Sequence, residues 1–594
     1  MSKYSSRSEV PEKYKWDLSD FYKDDNEFNK SLKLAINDIN KFKNYKGNLK
    51  DGKTLYDLLV LDNETSCLIT NLYVYAHLKN DEELGNSENI NRQNKAIKLF
   101  TDYSNAVSFI EPEILSFTKK EFDKLFEYEK LSEFKFLLDE MYKNKGHVLS
   151  ENEEIIINEL LASSGDYEDI LSNILSNEHD YGKIMVDGKE EEIHSTNIRH
   201  ILNNPDVNVR KEAYFKLKSL RDRYAGTCAS LLDSYVKQNN TLAKLRHFDN
   251  AFDRKMFYRN FPKEAYKTLI DTVKNHYDSS RNYYKLIKET NNLKEMHTYD
   301  MNLSLYPSKK KYTIDEGIEL IKNALKPLGE EYLKCFDKVI NNRYIDFCEY
   351  KGKKSGGYSI DTPDHDSRIL LSYNDNLESI STVIHESGHI IHNQFIHKNN
   401  PIQYREITTL TAEIASLTNE CLLSSYLASN GTKEEKLAGI SNILSVIECN
   451  LFDCIREAEM EFKFNDYSLE GNALTKDYLN ELGKKSLEEY LGDSVIMDEY
   501  SNEGWISRVH YYCDYYLCDY SFCISVACAN AKRILDGDKE QLDRYLNFLK
   551  LGSDVYPIDA FKKLGFDLKD SKVYEEAINY FDTLIEEYKK VSKE

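Results

Sequence analysis

The chain has 594 residues and a formal net charge of −22 at pH 7, with a sequence pI of about 5.3. A chain of this length can bury a large core and is expected to divide into two or more lobes. The acidic balance argues against nucleic acid as a partner, because phosphate binding needs a basic face. It leaves open an acidic enzyme and an acidic binding scaffold.

Helix-breaking residues are scarce, with 23 glycines and 9 prolines in the whole chain. Long stretches rich in Lys, Glu, Leu, Asn and Tyr lie between them, which predicts a mostly α fold. The first residues, MSKYSSRSEVPEKYKWDLSDFY, contain no apolar run of the kind found in secretory signals. With eleven cysteines and no such signal, we expect reduced thiols and a cytoplasmic location.

In chain order, residues 20 to about 180 read as successive amphipathic helices. The alternating segment YGKIMVDGKEEEIH (181–194) then predicts a β-hairpin that turns at Asp187-Gly188. Helices resume soon after NNPDVNVR. We therefore predict an N-terminal helical domain at residues 1–200 and a second domain at 201–594.

The glycine-bearing region 349–376 interrupts the second half of the chain. Within it, SRILLSYN predicts a short strand directly before the next helix, which would give the helical fold a small β element. Such a strand could pair with an extended peptide, or it could simply connect two elements. The most lipophilic stretch, 511–531, contains two aspartates and many tyrosines, so it predicts a buried helix and no membrane partner.

Three histidines share one face of the helix predicted for STVIHESGHIIHNQF (381–395). His389 and His392 follow His385 by four and seven residues, which returns them to the same side at 3.6 residues per turn. His385 to His389 is an HExxH pattern, and two imidazoles one turn apart can bind one Zn²⁺. Glu386 points about 100° away, which suits it to take a proton from water. His392 lies too far along to share a metal with His385, so we predict a supporting or core position.

A catalytic zinc needs a third protein ligand, and YREITTLTAEIASLTNECLL (404–423) offers three glutamates. Glu406, Glu413 and Glu420 recur every seven residues, which predicts one face of a second helix. Glu413 lies between small alanines that would let the two helices approach closely, so it is the predicted third ligand. Glu406 is expected to face solvent, whereas Glu420 could hydrogen-bond a ligand histidine or face solvent.

These motifs resemble the thimet-oligopeptidase (neurolysin-like) family of zinc metallopeptidases, and within it the oligoendopeptidase F branch. The resemblance rests on HESGH with Glu413 placed 24 positions after His389, and on KWDLSDFY (15–22), NPDVNVRKEAY (204–214), KKSGGYS (353–359) and RVHYYCDYYLCDY (508–520). It implies a two-lobed, multi-helical ellipsoid with a deep central channel that admits short peptides and excludes folded proteins. It also implies one Zn²⁺ per chain held by His385, His389 and Glu413, with Glu386 as base and acid.

The tyrosine-rich segment 510–520 could donate hydrogen bonds where negative charge develops during peptide hydrolysis. In a chain with 44 tyrosines, such a cluster is also typical of amphipathic packing. The resemblance favours His510 and a nearby tyrosine as catalytic groups, and Tyr511 is the predicted tyrosine. Tyr512 and Tyr515 are candidate substrate-binding residues. Related enzymes usually have tyrosine where Cys518 stands, and a thiol is a weak donor.

The sequence therefore predicts a zinc-dependent endopeptidase that hydrolyses internal bonds of short peptides. Gly356 and Gly357 would let the peptide main chain approach closely. A first alternative is a zinc carboxypeptidase or dipeptidase with the same ligands, which would need a group that captures a terminal carboxylate. A second alternative is an acidic helical scaffold with a structural or vestigial zinc site, although a structural site has no need of Glu386. The sequence leaves the oligomeric state open.

Overall fold

The computed structural model describes residues 4–594 except 151–152, 154–155, 158–159, 162–166, 178–180, 187 and 194–196. Most of the described residues are helical, which confirms the mostly α fold. The chain forms two compact units, each made of three stretches of sequence. Unit 1 is Met1–Glu151, Lys310–Leu423 and Gly537–Tyr556, and unit 2 is Asn152–Lys309, Ser424–Asp536 and Pro557–Glu594. The division at residue 200 stays a prediction.

Unit 1 is mainly helical. Its α-helices are α1 (Asp25–Ile39), α2 (Gly52–Glu82), α3 (Ser87–Val107), α4 (Ile110–Leu115), α5 (Lys119–Leu125), α6 (Lys135–Lys143), α14 (Ile314–Leu325), α15 (Gly329–Asn341), α16 (Leu377–Asn399), the first part of α17 (Glu413–Asn430), and α22 (Lys539–Phe548). Short 3-10 helices lie at Arg7–Glu9, Glu12–Tyr14, Phe42–Asn44, Glu129–Phe134, Asn144–Gly146, Lys326–Leu328, Ile402–Tyr404 and Thr409–Thr411. Side chains of Asp24, Asp51 and Asn376 accept backbone N–H groups and so fix where α1, α2 and α16 begin.

A three-stranded sheet in unit 1 contains β3 (Ile345–Asp346), β4 (Tyr358–Ile360) and β5 (Arg368–Leu370) in the order β3-β5-β4. Ile369 of β5 pairs with Ile345 in parallel and with Ser359 in antiparallel register. The strand predicted in SRILLSYN is confirmed. The idea that it pairs with a peptide is wrong for residues 368–370, because both edges of β5 are already occupied. The edge strands of this sheet are β3 and β4.

The N-terminal segment, residues 4–22, is bound to this sheet. The Phe347 N–H donates to the Tyr14 carbonyl at 3.0 Å, and the Asp17 N–H donates to the Arg343 carbonyl at 2.8 Å. Trp16 is buried in a hydrophobic cluster that includes Leu370 of β5. The start of the chain therefore holds the sheet that leads into α16.

Unit 2 is also mainly helical. Its elements are α7 (Tyr167–Ser172), β1 (Lys183–Val186), β2 (Lys189–Glu192), α8 (Ile198–Leu202), α9 (Val207–Asp222), α10 (Ala225–Leu245), α11 (Ala251–Arg259), α12 (Lys263–Lys274), α13 (Tyr277–Thr290), the rest of α17, α18 (Lys433–Ile447), α19 (Cys454–Leu469), α20 (Lys476–Leu491), α21 (Leu517–Leu535), α23 (Pro557–Leu564) and α24 (Lys572–Lys593). The 3-10 helices are Thr298–Asp300, Ser501–Ser507 and Val509–Tyr512, and π-helical turns are Asn173–Asn177 and Glu448–Asp453.

The predicted hairpin is confirmed by the antiparallel pairing of β1 with β2, with Lys183 opposite Glu192 and Val186 opposite Lys189. Gly188 has φ 76°, a conformation that glycine adopts readily in a tight turn. Asp187, the other predicted turn residue, lies outside the described residues, as do parts of the helical region predicted over residues 20 to about 180.

Two apolar stretches of unit 2 bear on membrane contact. The continuous helical stretch Lys433–Leu469 could cross a membrane by length and composition, but 67% of its most apolar window is buried inside the protein, as in a core helix. Within 511–531, the helix α21 begins only at Leu517, and from Leu517 to Ala531 every residue except Tyr520 is buried. The predicted buried helix is confirmed from that residue onward, and the lack of a membrane partner stays a prediction.

Candidate active site

The two histidines of HExxH extend from α16 toward the same side. Their ring centroids are 5.1 Å apart, and both rings are half-buried. The isoleucines and Phe395 on the other faces of α16 are buried in unit 1, which fixes the rotation of the helix about its axis. Because their neighbours are buried, His385 and His389 both point to the remaining face of α16.

Glu413 is the first residue of α17, and its carboxylate lies between the two imidazoles. Its Oε2 is 3.3 Å from Nε2 of His385 and 3.6 Å from Nε2 of His389. The three candidate ligand atoms all lie within 4.8 Å of one another. Ser416 also donates to Oε2 of Glu413 at 2.8 Å. Two imidazole nitrogens and one carboxylate oxygen that converge in this way are the donor set of a catalytic zinc.

Gly388, the glycine of HESGH, allows α16 and α17 to come this close. A Cβ at Gly388 would lie 2.6 Å from both the Cα and the N of Ser416. No residue other than glycine fits against that backbone without moving one of the helices. The close approach was predicted from the alanines beside Glu413, but the residue that permits it is Gly388. The signal was present, because a glycine inside a buried helix costs stability and needs a packing reason.

Glu420, two turns beyond Glu413 on α17, contacts the far side of the first histidine. Its Oε1 lies 2.7 Å from Nδ1 of His385, and its Oε2 accepts a hydrogen bond from Ser381 at 3.0 Å. A carboxylate at Nδ1 favours the tautomer that leaves Nε2 free to bind a metal. The backbone of Ala412 hydrogen-bonds to His389 in turn. The sequence left open whether Glu420 contacts a histidine or faces solvent, and the structure places it beside His385.

Glu406 does not share a helix face with the other two glutamates. The helix predicted over 404–423 begins at Glu413, and Glu406 lies in an irregular segment before it. Thr411 donates to the Thr408 carbonyl, and the two threonine hydroxyls are 2.7 Å apart. Such local bonds and β-branched side chains compete with helix formation. Glu406 is exposed, as predicted.

The electrostatics of the cluster couple its members. Burial would lower the pKa of His385, but hydrogen bonds to Glu413 and Glu420 raise it well above its usual value. Burial would raise the pKa of Glu413, but the hydrogen bond with His385 and the charges of the two histidines lower it to about 2. Glu413 also occupies the first turn of α17, where the helix dipole favours a negative charge. The carboxylate is therefore held ionised, as a metal ligand must be.

Glu386 lies next to the cluster and is 9% exposed. Burial raises its pKa to about 7, against an opposing effect of the His385 charge. A carboxyl group with a pKa in this range can take up and release a proton near neutral pH. Its position beside the two histidines agrees with the predicted base.

Three further predicted residues lie elsewhere in unit 1. His392 is 2% exposed, and its ring packs 5.6 Å from that of Phe548, which is the core position that the sequence left open. A Cβ at Gly357 would lie 3.0 Å from Cγ2 of Thr382 and 3.2 Å from Cδ2 of Leu371, so this glycine allows β4 to pack against α16. Gly356 has φ 99° and starts the turn into β4.

The tyrosine-rich segment belongs to unit 2 and is not one helix. A 3-10 helix ends at Tyr512, two residues with positive φ follow, and α21 begins at Leu517. Tyr511 is 1% exposed and donates its hydroxyl to Glu457, so the structure contradicts its predicted catalytic role. The ring of Tyr515 is buried between Phe252 and Phe462, which contradicts substrate contact as well.

The side chains that do accompany His510 are Tyr516 and Tyr520, which the sequence analysis missed. The Tyr520 hydroxyl is 3.5 Å from Nε2 of His510, and the rings of Tyr516 and His510 are nearly parallel with centroids 6.1 Å apart. All three are half-buried. The four-residue spacing of the two tyrosines was the available signal, since it puts them on one side of a helix.

Tyr512 and Cys518 complete the predicted set. Tyr512 is half-buried, with its ring 5.1 Å from that of Tyr235. Cys518 is fully buried inside α21, and burial raises the pKa of its thiol. The Cys518 side chain therefore contributes packing and no hydrogen bond to a substrate.

Comparison with known proteins agrees with this fold. The model of Peptidase family M3 matches residues 200–580, and that of Oligopeptidase F matches residues 113–179. The chain is 31% identical over 589 residues to Oligopeptidase PepF of Bacillus subtilis, covering 98% of this chain and 88% of that one. It is 30% identical over 586 residues to Group B oligopeptidase PepB of Streptococcus agalactiae, covering 97% of each.

A solved structure shows the same architecture. The crystal structure of oligoendopeptidase-F from Enterococcus faecium matches with a TM-score of 0.73 at 26% identity, covering 96% of this chain and 99% of that chain. Fold and site together define a helical peptidase. The chain belongs to peptidase family M3, and its resemblance to the oligoendopeptidase F branch is confirmed.

Proposed function

We propose that the protein is a zinc-dependent endopeptidase that hydrolyses internal bonds of short peptides. The observation that carries the proposal is the convergence of His385, His389 and Glu413 within 4.8 Å. The residues fit a zinc ion, because Glu420 and the Ala412 backbone engage the imidazoles and Glu413 is held ionised. The preference for short peptides is supported by relatives whose names describe oligopeptidases.

When bound by these residues, Zn²⁺ supplies a Lewis acid that polarises the scissile carbonyl and activates water. The chain's own groups do the rest. Glu386 takes a proton from the attacking water and delivers it to the leaving amine. Glu420 holds the His385 ring in place throughout. β4 is an edge strand of its sheet, and we propose that it binds an extended peptide main chain by strand addition.

His510, with Tyr516 or Tyr520, is proposed to donate hydrogen bonds to the oxygen on which negative charge develops. Support comes from the family resemblance and from the grouping of the three side chains. Tyr511 is replaced in this role, because its hydroxyl is bonded to Glu457.

The test of the proposal is Glu386→Gln, measured with an internally quenched peptide blocked at both ends. The variant keeps the shape of the side chain and all three ligands, so it should bind zinc like the wild type. Turnover should fall by about 10²–10⁴-fold, the usual contribution of a general base. Retained hydrolysis by the zinc-loaded variant would refute the role of Glu386.

The same peptide separates the alternatives. Chelator-sensitive cleavage of an internal bond, restored by zinc, would establish an endopeptidase. Cleavage of only the unblocked peptide would favour the carboxypeptidase or dipeptidase, and no cleavage by protein that holds one zinc would favour the binding scaffold.

A further inference from the structure

Three acidic side chains recur every four residues on one side of α19 in unit 2. Asp453 precedes the first residue of the helix, and Glu457 and Glu461 follow at one-turn intervals. We name these three residues the acidic ladder. Glu457 and Glu461 are 1% and 2% exposed. Carboxyl groups are costly to bury, so each is expected to have a specific partner.

Each of the three has a partner in one short segment, residues 508–516, which contains His510, and Arg456 on α19 itself also pairs with Asp453 and Glu457. Asp453 Oδ2 accepts from Nη2 of Arg508 at 2.8 Å, Glu457 Oε2 accepts from the Tyr511 hydroxyl, and Glu461 Oε1 accepts from the Tyr515 backbone N–H at 2.6 Å. The order along the segment matches the order along the helix. The ladder therefore fastens this segment to α19 at three successive points.

The segment contains a turn that its own residues disfavour. Asp514 has φ 35° and Tyr515 has φ 55°, two consecutive left-handed positions with no glycine. Residues that carry a Cβ adopt this conformation only when their surroundings impose it. Glu461 imposes it directly, because its carboxylate receives the N–H of Tyr515.

Asp514 anchors the same turn to two other helices of unit 2. Its Oδ1 accepts from the Tyr235 hydroxyl at 2.9 Å and from Nδ2 of Asn239 at 2.7 Å, both on α10. Its Oδ2 accepts from Nη2 of Arg254 on α11 at 3.2 Å. The turn is thus held by α10 and α11 through Asp514, whereas Arg508 and Tyr511, which precede the turn in the sequence, are held by α19.

The contacts of Glu461 fit a positioning task better than a purely stabilising one. Among the described residues, its second oxygen, Oε2, has no hydrogen-bond partner, and burial raises the pKa of Glu461 to about 8. An apolar side chain of similar size would commonly be the more stable choice at such a site. What only an acceptor can supply there is a bond to the Tyr515 N–H.

We propose that the acidic ladder and Asp514 are positioning residues that hold segment 508–516 so that His510 and Tyr516 are presented together. The inference rests on the proposed function of His510 and its neighbouring tyrosines in peptide hydrolysis. Removing a ladder contact should let the turn relax toward ordinary backbone conformations. His510 and Tyr516 flank the turn, so their relative placement should be lost.

The experiment compares Glu461→Ala, Glu461→Gln and Glu459→Ala in the full zinc-loaded chain. Glu459 is the control, because it lies on the same helix but pairs with Lys274 and Lys463. Glu461→Ala should lower kcat by about 10- to 100-fold, as small misplacements of catalytic groups do, with KM changed less than about threefold. Glu461→Gln keeps an acceptor for the Tyr515 N–H, so it should restore kcat to within about threefold of wild type.

Two further measurements separate positioning from general stability. In a His510→Ala background, Glu461→Ala should cost less than about a further twofold in kcat, because coupled residues are not additive. Amide hydrogen exchange in peptides that cover 508–516 should accelerate in Glu461→Ala and not in Glu459→Ala. If Glu461→Ala does not fold, Asp514→Ala, whose side chain is 26% exposed, serves in the same tests.

Three results would each overturn the ladder proposal. The first is wild-type kcat in Glu461→Ala, and the second is unchanged amide exchange over 508–516 in that variant. The third is a double variant whose loss of kcat equals the product of the losses in Glu461→Ala and His510→Ala. If His510→Ala is inactive while Glu461→Ala is fully active, the ladder proposal fails and the proposed role of His510 stands. Wild-type kcat in His510→Ala would overturn both the ladder and the proposed role of His510.

Discussion

Gly388→Ala is expected to damage the metal site even though alanine is the better helix former. The new Cβ would lie 2.6 Å from backbone atoms of Ser416, whereas ordinary contact begins near 3.4 Å. One helix must therefore move by about 0.8 Å, because the clash is with main chain that cannot rotate away. Overpacking of this kind costs about 1–3 kcal/mol, against a gain of about 1 kcal/mol in helix propensity.

The displacement matters most at Glu413, which lies one turn before Ser416 on α17. Zinc ligands tolerate shifts of only about 0.2 Å, so a movement several times larger should weaken zinc binding at least about tenfold. The peptidase activity, kcat/KM, should fall by about 10²-fold, the cost of a displacement near 1 Å. Zinc affinity is measured by competition with a chromogenic chelator, and activity with the blocked, quenched peptide.

Gly226→Ala is the matched control for Gly388→Ala. Gly226 also lies within a helix, α10, but in the part of the chain that the structure describes nothing is within 4 Å of the position that a Cβ would take. This substitution should raise the melting temperature slightly, by the equivalent of up to about 1 kcal/mol, and leave zinc affinity unchanged. Wild-type zinc affinity and activity in Gly388→Ala would refute the argument that this glycine sets the distance between α16 and α17.

Two other substitutions test parts of unit 1 that support the site. Glu420→Gln removes the charge beside Nδ1 of His385 and should lower zinc affinity by about 10–100-fold, while Glu406→Gln, at an exposed position, should leave it unchanged in the same chelator competition. Arg7→Met removes the partner that lies 3.0 Å from the buried Glu82 and that also pairs with Asp346, so the free energy of unfolding should fall by about 1–3 kcal/mol. Its control is Lys13→Met, which breaks an exposed pair and should leave chemical denaturation close to that of the wild type. Equal losses in the two variants would contradict the structural role of the N-terminal segment.

The parts of the site that the sequence predicted are those fixed by local periodicity. The spacing of His385 and His389 sets their direction on α16 without reference to any other element. Glu413 was predicted because it combines a carboxylate with small neighbours at the edge of an apolar stripe. The start of its helix was predicted nine residues too early, because threonine side chains bond to their own backbone there.

The strand β5 shows a different kind of difficulty. Its composition identified it as a strand, but whether its edges are free depends on β3 and β4, which are two and three residues long. Strands this short leave almost no periodicity to detect. The prediction of a free edge is therefore wrong for β5, which is the central strand of the sheet.

The conformation of the segment around His510 could not be predicted from local sequence patterns. Its tyrosines suggested a continuous helix, and on a helix Tyr511 and Tyr515 would have been natural neighbours of His510. The actual turn exists because carboxylates about 54 residues earlier bind its backbone and side chains. The acidic spacing at 453, 457 and 461 is visible in the sequence, since it repeats every four residues on one helix face. What that face binds is set by tertiary contacts, and these turn Tyr511 and Tyr515 inward while leaving Tyr516 and Tyr520 beside His510.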